Sequence, residues 1–260
     1  MEDALKGYIF VTGQPENKFS EYSVLKAADI CYKLNRFDSA ANYYSQLENN
    51  AEYKSNILEA RTQKMRCYWK SGKYNDALIA ASTLIGTEKV TQEALAEAHL
   101  TIGKIAMIKD SIALAQTEFE FTYKLSPTSE FGAEAKYNLA NIYFLQKDFT
   151  QSEKTIFEVI NQVPSYDYWI AKSFILLSDV YINTGNNIQA KATLQSIIDN
   201  YDGADLVTIA HEKLNKILLS EQTQVKPKTQ EDIQIKFDNN PKNDKLFDDK
   251  TKPQEEKKNE

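Results

Sequence analysis

Few side chains in this chain could do chemistry. Histidine occurs twice, at His99 and His211, and cysteine twice, at Cys31 and Cys67. Acid–base or nucleophilic catalysis needs such groups to converge with partners of matched pKa, and the spacings that signal convergence are missing. There is no His-x-x-x-His, no Cys-x-x-Cys and no calcium-loop pattern, so the residues predict no metal site. The eight glycines are scattered and fall mostly at turns, which leaves no phosphate-cradling loop and no expected cofactor. Serines are plentiful, but no motif gives one a histidine partner. Two cysteines do not make a disulfide framework, and both are expected to be small buried thiols. The expectation is a chain with no catalytic residue, hence not an enzyme.

Composition narrows the remaining classes. Hydrophobic residues make up 42% of the 260, enough to bury an elongated core. A formal charge of −6 lacks the basic excess of a nucleic-acid protein, so no nucleic-acid partner is expected. No run of about 18 apolar residues occurs, so no transmembrane segment is expected; indirect membrane association stays open. The start, Met1-Glu2-Asp3-Ala4, is acidic where a secretory signal would be basic and then apolar. That leaves the cytoplasm, or the periplasm and cell envelope if the sequence is the carboxy-terminal part of a longer exported chain.

The elements that would position any site follow from a beat in the sequence. A small residue recurs at Ala40, Ala77, Ala115, Ser152 and Ala190, at steps of 37 or 38 residues. Three residues before it stand Phe37, Tyr74, Ile112, Phe149 and the exception, Asn187. Four after it come Tyr44, Ala81, Phe119, Ile156 and Leu194, and nine before it Cys31, Tyr68, Ala106, Tyr143 and Tyr181. Such a period predicts stacked two-helix units, because two helices that cross closely at one point per unit admit only a small side chain there. Each unit reads as helix A, a short turn, helix B and a link. Pro127 and Pro164 end B helices, Ser129, Ser165 and Asp167 are placed to cap the A helices that follow, and Asp202-Gly203 is expected to end the last B helix with a left-handed glycine.

These residues resemble the tetratricopeptide repeat. The best matches are Ile102-Gly103 for its Leu-Gly step, Tyr68-x-x-x-Gly72-x-Tyr74-x-x-Ala77 for its turn, and Tyr181-x-x-x-Gly185-x-x-x-x-Ala190. The likeness covers residues 21–220, with units longer than the usual ~34 residues. Longer units of this kind look like bacterial cell-envelope members, such as outer-membrane assembly lipoproteins and the periplasmic coordinator of the Tol–Pal system. The resemblance implies an all-α, right-handed α-solenoid: a partial helix from a preceding unit over 1–20, five repeats over 21–204, a capping helix over 205–221 and a disordered charged tail over 222–260. On the cap, Val207, Ala210, Leu214 and Leu218 are expected to face inward. His99 falls at a regular packing position of the third A helix and His211 at its equivalent on the cap. The tail holds nine Lys against nine Asp or Glu, and its Ile233-Gln234-Ile235-Lys236-Phe237 alternation is either a strand-forming docking peptide or an incidental cluster, the second being favoured.

The family binds through a concave groove of A-helix residues, and the resemblance carries those places onto this chain. The twelfth place of each unit gives Tyr32, Trp69, Met107, Phe144 and Ile182, all large and apolar. The fifth gives Leu25, Thr62, Leu100, Tyr137 and Ile175. Basic groups at Lys33, Arg66, Lys70 and Lys104 gather in the first three units. The binding reading is an apolar, aromatic trough with basic flanks, built from Tyr32, Lys33, Arg66, Trp69, Lys70, Lys104, Met107, Tyr137 and Phe144. The competing reading has the twelfth-place row packed against the next A helix as core. The family's arrangement for chaperone tails is not reproduced, since Leu25 and Asp29 stand where basic and amide residues belong. The expected function is a non-catalytic protein-interaction scaffold for a peptide or protein partner, with a carbohydrate-capture module, suggested by 15 tyrosines, as the alternative.

Overall fold

Each of the five small residues lies one turn inside a helix that begins three residues earlier. In the computed structural model, which describes residues 1–224, the elements are α1 (Glu2–Thr12), α2 (Ser20–Lys33), α3 (Phe37–Asn50), α4 (Lys54–Lys70), α5 (Tyr74–Ile85) and α6 (Gln92–Ile108). They continue as α7 (Ile112–Leu125), α8 (Glu130–Leu145), α9 (Phe149–Ile160), α10 (Asp167–Asn183), α11 (Asn187–Asn200) and α12 (Ala204–Gln224). From α2 onward they alternate as A and B helices, and no strand occurs among the described residues. The chain divides into Met1–Ile217 and Leu218–Glu260, and the stack lies in the first part. The cap helix runs on to Gln224, three residues into the expected tail, and residues 225–260, with the Ile233–Phe237 segment, lie outside the described residues.

The close crossings are filled by small residues in every unit. Ala40, Ala77, Ala115, Ser152 and Ala190 are all 0% exposed. Ser152 keeps the place of an alanine because its hydroxyl donates to the Ala140 carbonyl of α8 at 2.9 Å, which removes the cost of burying an unpaired polar atom. One turn later Tyr44, Ala81, Phe119, Ile156 and Leu194 fill the A–B interface and are equally buried. The Tyr44 hydroxyl donates to Asp29 on α2 at 2.8 Å.

Every hairpin turns the same way. A left-handed residue follows the A helix at Asn35, Gly72, Asp110, Lys147 and Gly185, with φ between 57° and 78°. The residue after each returns its N–H to the carbonyl of Cys31, Tyr68, Ala106, Tyr143 or Tyr181, at 2.8–2.9 Å. These are Schellman closures, which satisfy carbonyls that a helix end leaves open. The residues nine before the small one therefore have a backbone duty as well as an inward side chain. Lys147 adopts this conformation against its preference, at a cost of about 1 kcal/mol. Lys147→Gly is expected to raise the unfolding free energy by about that amount. A denaturation midpoint equal to or below the parent's would remove the left-handed turn from this position.

Within Met1–Ile217 the layers are unequal. Successive A helices touch one another from α2 to α10, whereas among the described residues no two B helices do. Contact in one layer and splay in the other bends the stack, with the A helices on the inner side. Each B helix also packs on the next A helix, and α1 lies against α2 in the same manner, with Leu5 in a core cluster with Val24 and Ala27.

Three local expectations change. Gly203 has no left-handed φ; α11 ends at Asn200 with Tyr201 extended, and a Cβ at Gly203 would sit 2.3 Å from the Tyr201 ring. This glycine admits an aromatic ring instead of a turn. Ser129 caps α8 by accepting from Gly132 N–H at 3.2 Å, as expected, but neither Ser165 nor Asp167 caps α10, whose N-cap is Tyr166 without a side-chain bond. That link is tied instead by the Tyr166 hydroxyl donating to the Thr128 carbonyl at 2.9 Å. On α12 the buried residues are Leu206, Ala210 and Ile217. Val207 is half-buried and Leu218 is 40% exposed, so the face is rotated by about one residue from the expected stripe.

Candidate protein-binding face

The inner layer presents the A-helix residues that the sequence singles out. Its twelfth-place row combines features of both expected arrangements: Met107 and Phe144 pack on core clusters that include Leu139 of α8 and Leu176 of α10, the next A helices, while every member keeps exposed surface. Three members also lean on the first residue of their own B helix, five positions on. The Tyr32 and Phe37 ring centroids are 5.4 Å apart, Trp69 and Tyr74 5.4 Å, and Phe144 and Phe149 5.7 Å. Met107 and Ile112 pack on the same core cluster in the third unit. One side of each ring is thus fixed at the hairpin turn, and all four side chains stay half-buried. Ile182, whose partner position holds Asn187, is more open at 37% exposure. The exception in the repeat is also the exception in packing.

Two of the four basic groups expected on the flank, Arg66 and Lys104, are paired with acids. Arg66 on α4 donates through Nε and an Nη to both carboxylate oxygens of Glu97 on α6, each at 2.6 Å. That two-pronged contact strengthens the pair and fixes its plane. The hydrogen bonds to Glu97 raise the Arg66 pKa above its ordinary value against the opposing effect of burial. Lys104 on α6 pairs with Glu134 on α8 at 2.8 Å and places its ammonium 4.7 Å from the Trp69 ring centre. Lys213 on α12 pairs with Asp179 on α10 at 2.5 Å. These pairs are rungs between successive A helices. They brace the layer and leave Lys33 and Lys70 as exposed basic groups of the flank. A further rung joins A to B: Glu48 on α3 accepts from Arg61 at 2.8 Å and from Lys64, both on α4.

Tyr137 lies deeper than a rim residue. Burial is the largest influence on its phenol and pushes the pKa up to about 12, so the hydroxyl keeps its proton at neutral pH. Its ring is 5.5 Å from that of Trp169. The sequence reading passed over Trp169, and also Lys172, whose ammonium lies 4.8 Å from the Tyr137 ring centre. The signal was available as a reversal of charge at one register, since Glu97, Glu134 and Lys172 occupy equivalent places.

The remaining reactive types are occupied structurally. His99 contacts Glu118 of its own hairpin at 2.6 Å and stacks on Phe121 with centroids 5.2 Å apart. His211 is exposed on α12 instead of packed. Cys31 and Cys67 are free and buried, and burial pushes the Cys67 thiol up to about 12. Among the described residues no group of three or more His, Cys, Asp or Glu is placed to hold a metal ion, and no helix is long and apolar enough to cross a membrane.

Comparison with known proteins separates sequence from fold. No family model matches the chain, and no curated protein matches it in sequence. Solved structures do match. A tetratricopeptide repeat protein from Parabacteroides merdae is 16% identical, with 85% of this chain and 81% of that one covered at a TM-score of 0.62. BtubC from P. vanneervenii is 12% identical, covers 85% and 89%, and scores 0.58. YrrB, described as a TPR protein with an unusual peptide-binding site, is 15% identical, covers 80% and 99%, and scores 0.54. Identities this low speak to architecture alone, and the architecture they share with the stacked hairpins of this chain is the tetratricopeptide-repeat α-solenoid.

Proposed function

We propose that this chain is a non-catalytic scaffold that holds a protein or peptide partner on its inner A-helix face, as part of a bacterial envelope assembly. The observation that carries the reading is the row Tyr32, Trp69, Met107 and Phe144. The three rings are anchored on one side by their own B helix and Met107 by its core cluster, and all are half-buried, so each can offer apolar edge to a partner with little further loss of side-chain freedom. The ion-pair rungs beside the row support the same use, because they hold successive A helices at fixed spacing. The peptide-binding site named for YrrB is on a solenoid of the same architecture and supports a peptide as one partner class. The envelope setting draws only on the length of the repeat unit, as in the members the sequence resembles.

The carbohydrate alternative gains nothing from the tryptophans. Lys104 lies over Trp69, and Trp169 is 7% exposed, so neither offers a sugar an open ring face. The binding reading predicts that Trp69→Ala or Arg66→Ala weakens partner affinity by about 1–3 kcal/mol. Pull-downs from cell extract followed by titration of the recovered partner measure it. Recovery of the same partners at parent affinity by both variants would end the assignment of this face.

A further inference from the structure

Two places of the ion-pair ladder between A helices carry no pair: the α2–α4 place holds two acids, Asp29 and Glu59, and the α8–α10 place holds a lone lysine. In the register of Arg66 with Glu97 and Lys104 with Glu134, the next pair is Asn141 with Lys172. Here the acid has become a lysine, and the residue facing it is an uncharged amide. Lys172 is half-buried and has no ion pair or hydrogen bond among the described residues. Its ammonium sits instead among three rings, 4.8 Å from the centre of Tyr137, 4.9 Å from Trp169 and 5.6 Å from Tyr168. Cation–π contact stabilises an ammonium only in part once its water is removed. Burial accordingly lowers the Lys172 pKa, Glu134 opposes that effect and Lys104 adds to it.

The same corner holds other donors without acceptors. The Trp169 Nε1–H is buried and unpartnered, and so is the Ser173 hydroxyl one turn along the same helix. The phenols of Tyr137 and Tyr168 are both raised in pKa, first by burial, and remain donors at neutral pH. Tyr168 is 39% exposed, which leaves the corner open on its side. Of the nearby carboxylates, Glu134 is engaged by Lys104 and Asp179 by Lys213, while Asp205 lies on the Tyr168 side. A cationic head without an ion pair, phenolic donors and apolar ring faces suit an oxyanion attached to something apolar. A carboxylate side chain on a polypeptide has that form.

We propose that Lys172, framed by Tyr137, Tyr168 and Trp169, is a subsite for the carboxylate of an Asp or Glu in a polypeptide bound along the inner face. This deepens the scaffold reading and rests on it. The carboxylate completes the α8–α10 rung from outside the chain.

The test selects peptides from a phage-displayed library on the full chain, then measures each selected peptide and its Asp→Asn or Glu→Gln form by fluorescence anisotropy. The subsite predicts that selected sequences share an acidic residue next to an apolar one. It predicts that the amide form binds the parent about tenfold or more weakly. Against Lys172→Met the acid and amide forms should bind alike, while Lys172→Arg keeps most of the difference. Equal binding of acid and amide forms to the parent overturns the subsite, and so does an acid preference that survives in Lys172→Met. Displacement of the peptide by a single-stranded oligonucleotide would assign the anion to nucleic acid and overturn it too. Peptides weakened by Trp69→Ala but indifferent to the amide exchange remove the subsite and leave the scaffold reading standing. Peptides indifferent to both Trp69→Ala and Lys172→Met, or no selection at all, remove both.

Discussion

Phe119→Ala is expected to destabilise the third unit by about 3–5 kcal/mol. The ring is 0% exposed and lies in a core cluster with Leu100, Ala106, Ala115 and Leu139. It also lies close against α6 at Gly103, where a Cβ would meet the ring edge at 2.7 Å. Truncation leaves a ring-sized void between an A helix and its own B helix. Neither element can collapse into it, because α6 is braced on both sides by Arg66–Glu97 and Lys104–Glu134. Chemical denaturation measures the loss, and hydrogen exchange locates it, with protection falling first in α6 and α7. A loss under 1 kcal/mol would mean that the ring is not where the period puts it.

Ala115→Leu acts by the opposite mechanism in the same hairpin. Ala115 is fully buried in a core cluster with Leu100 and Ala106 of α6, and three added carbons have no space without moving one helix. Overpacking typically costs about 1–3 kcal/mol; the upper end, about 3 kcal/mol, is expected where the whole crossing must open. The same substitution at Ala40, Ala77 and Ala190 should cost a similar amount, because the five small residues share one geometric role. Ile188→Ala, at an 81% exposed position two residues before Ala190, should stay within about 0.5 kcal/mol of the parent. A tolerated leucine at two or more of the crossings would break the link between the period and the packing.

What was legible in the sequence, and what was not, follows from how far each interaction reaches. The crossing alanines, the buried partners one turn later and the starts of the B helices are properties of one hairpin repeated five times, so five copies made them visible. The left-handed turn shows in the sequence only at Gly72 and Gly185. At Asn35, Asp110 and Lys147 it follows from sharing that register, and nothing in Lys147 itself signals it. The ion-pair rungs were not legible, because Glu97 stands 31 residues from Arg66 and no local pattern links them. Reading Arg66 and Lys104 as free basic groups was the result. The twelfth-place row was found by analogy, and packing toward the next A helix was one of the expected arrangements. The ring contacts across the turn to the first residue of the B helix, in three units, were in neither. The rotation of the α12 stripe has the same origin, since the helix is phased by the α10–α11 hairpin it covers and Lys213 is pulled inward by Asp179. Lys172 was passed over because a lysine in an A helix looks solvated until its rings and its missing partner are placed around it.

The measurement that reaches furthest is site-specific photocrosslinking from the two surfaces of the stack. A benzophenone side chain would be placed in turn at Met107 and Phe144 on the inner layer, and at Ile79 and Ile188, 65% and 81% exposed, on B helices. Binding along the inner face predicts one partner crosslinked from both inner positions and from neither B-helix position. Crosslinks to that partner from Ile79 or Ile188, with none from Met107 and Phe144, would contradict it.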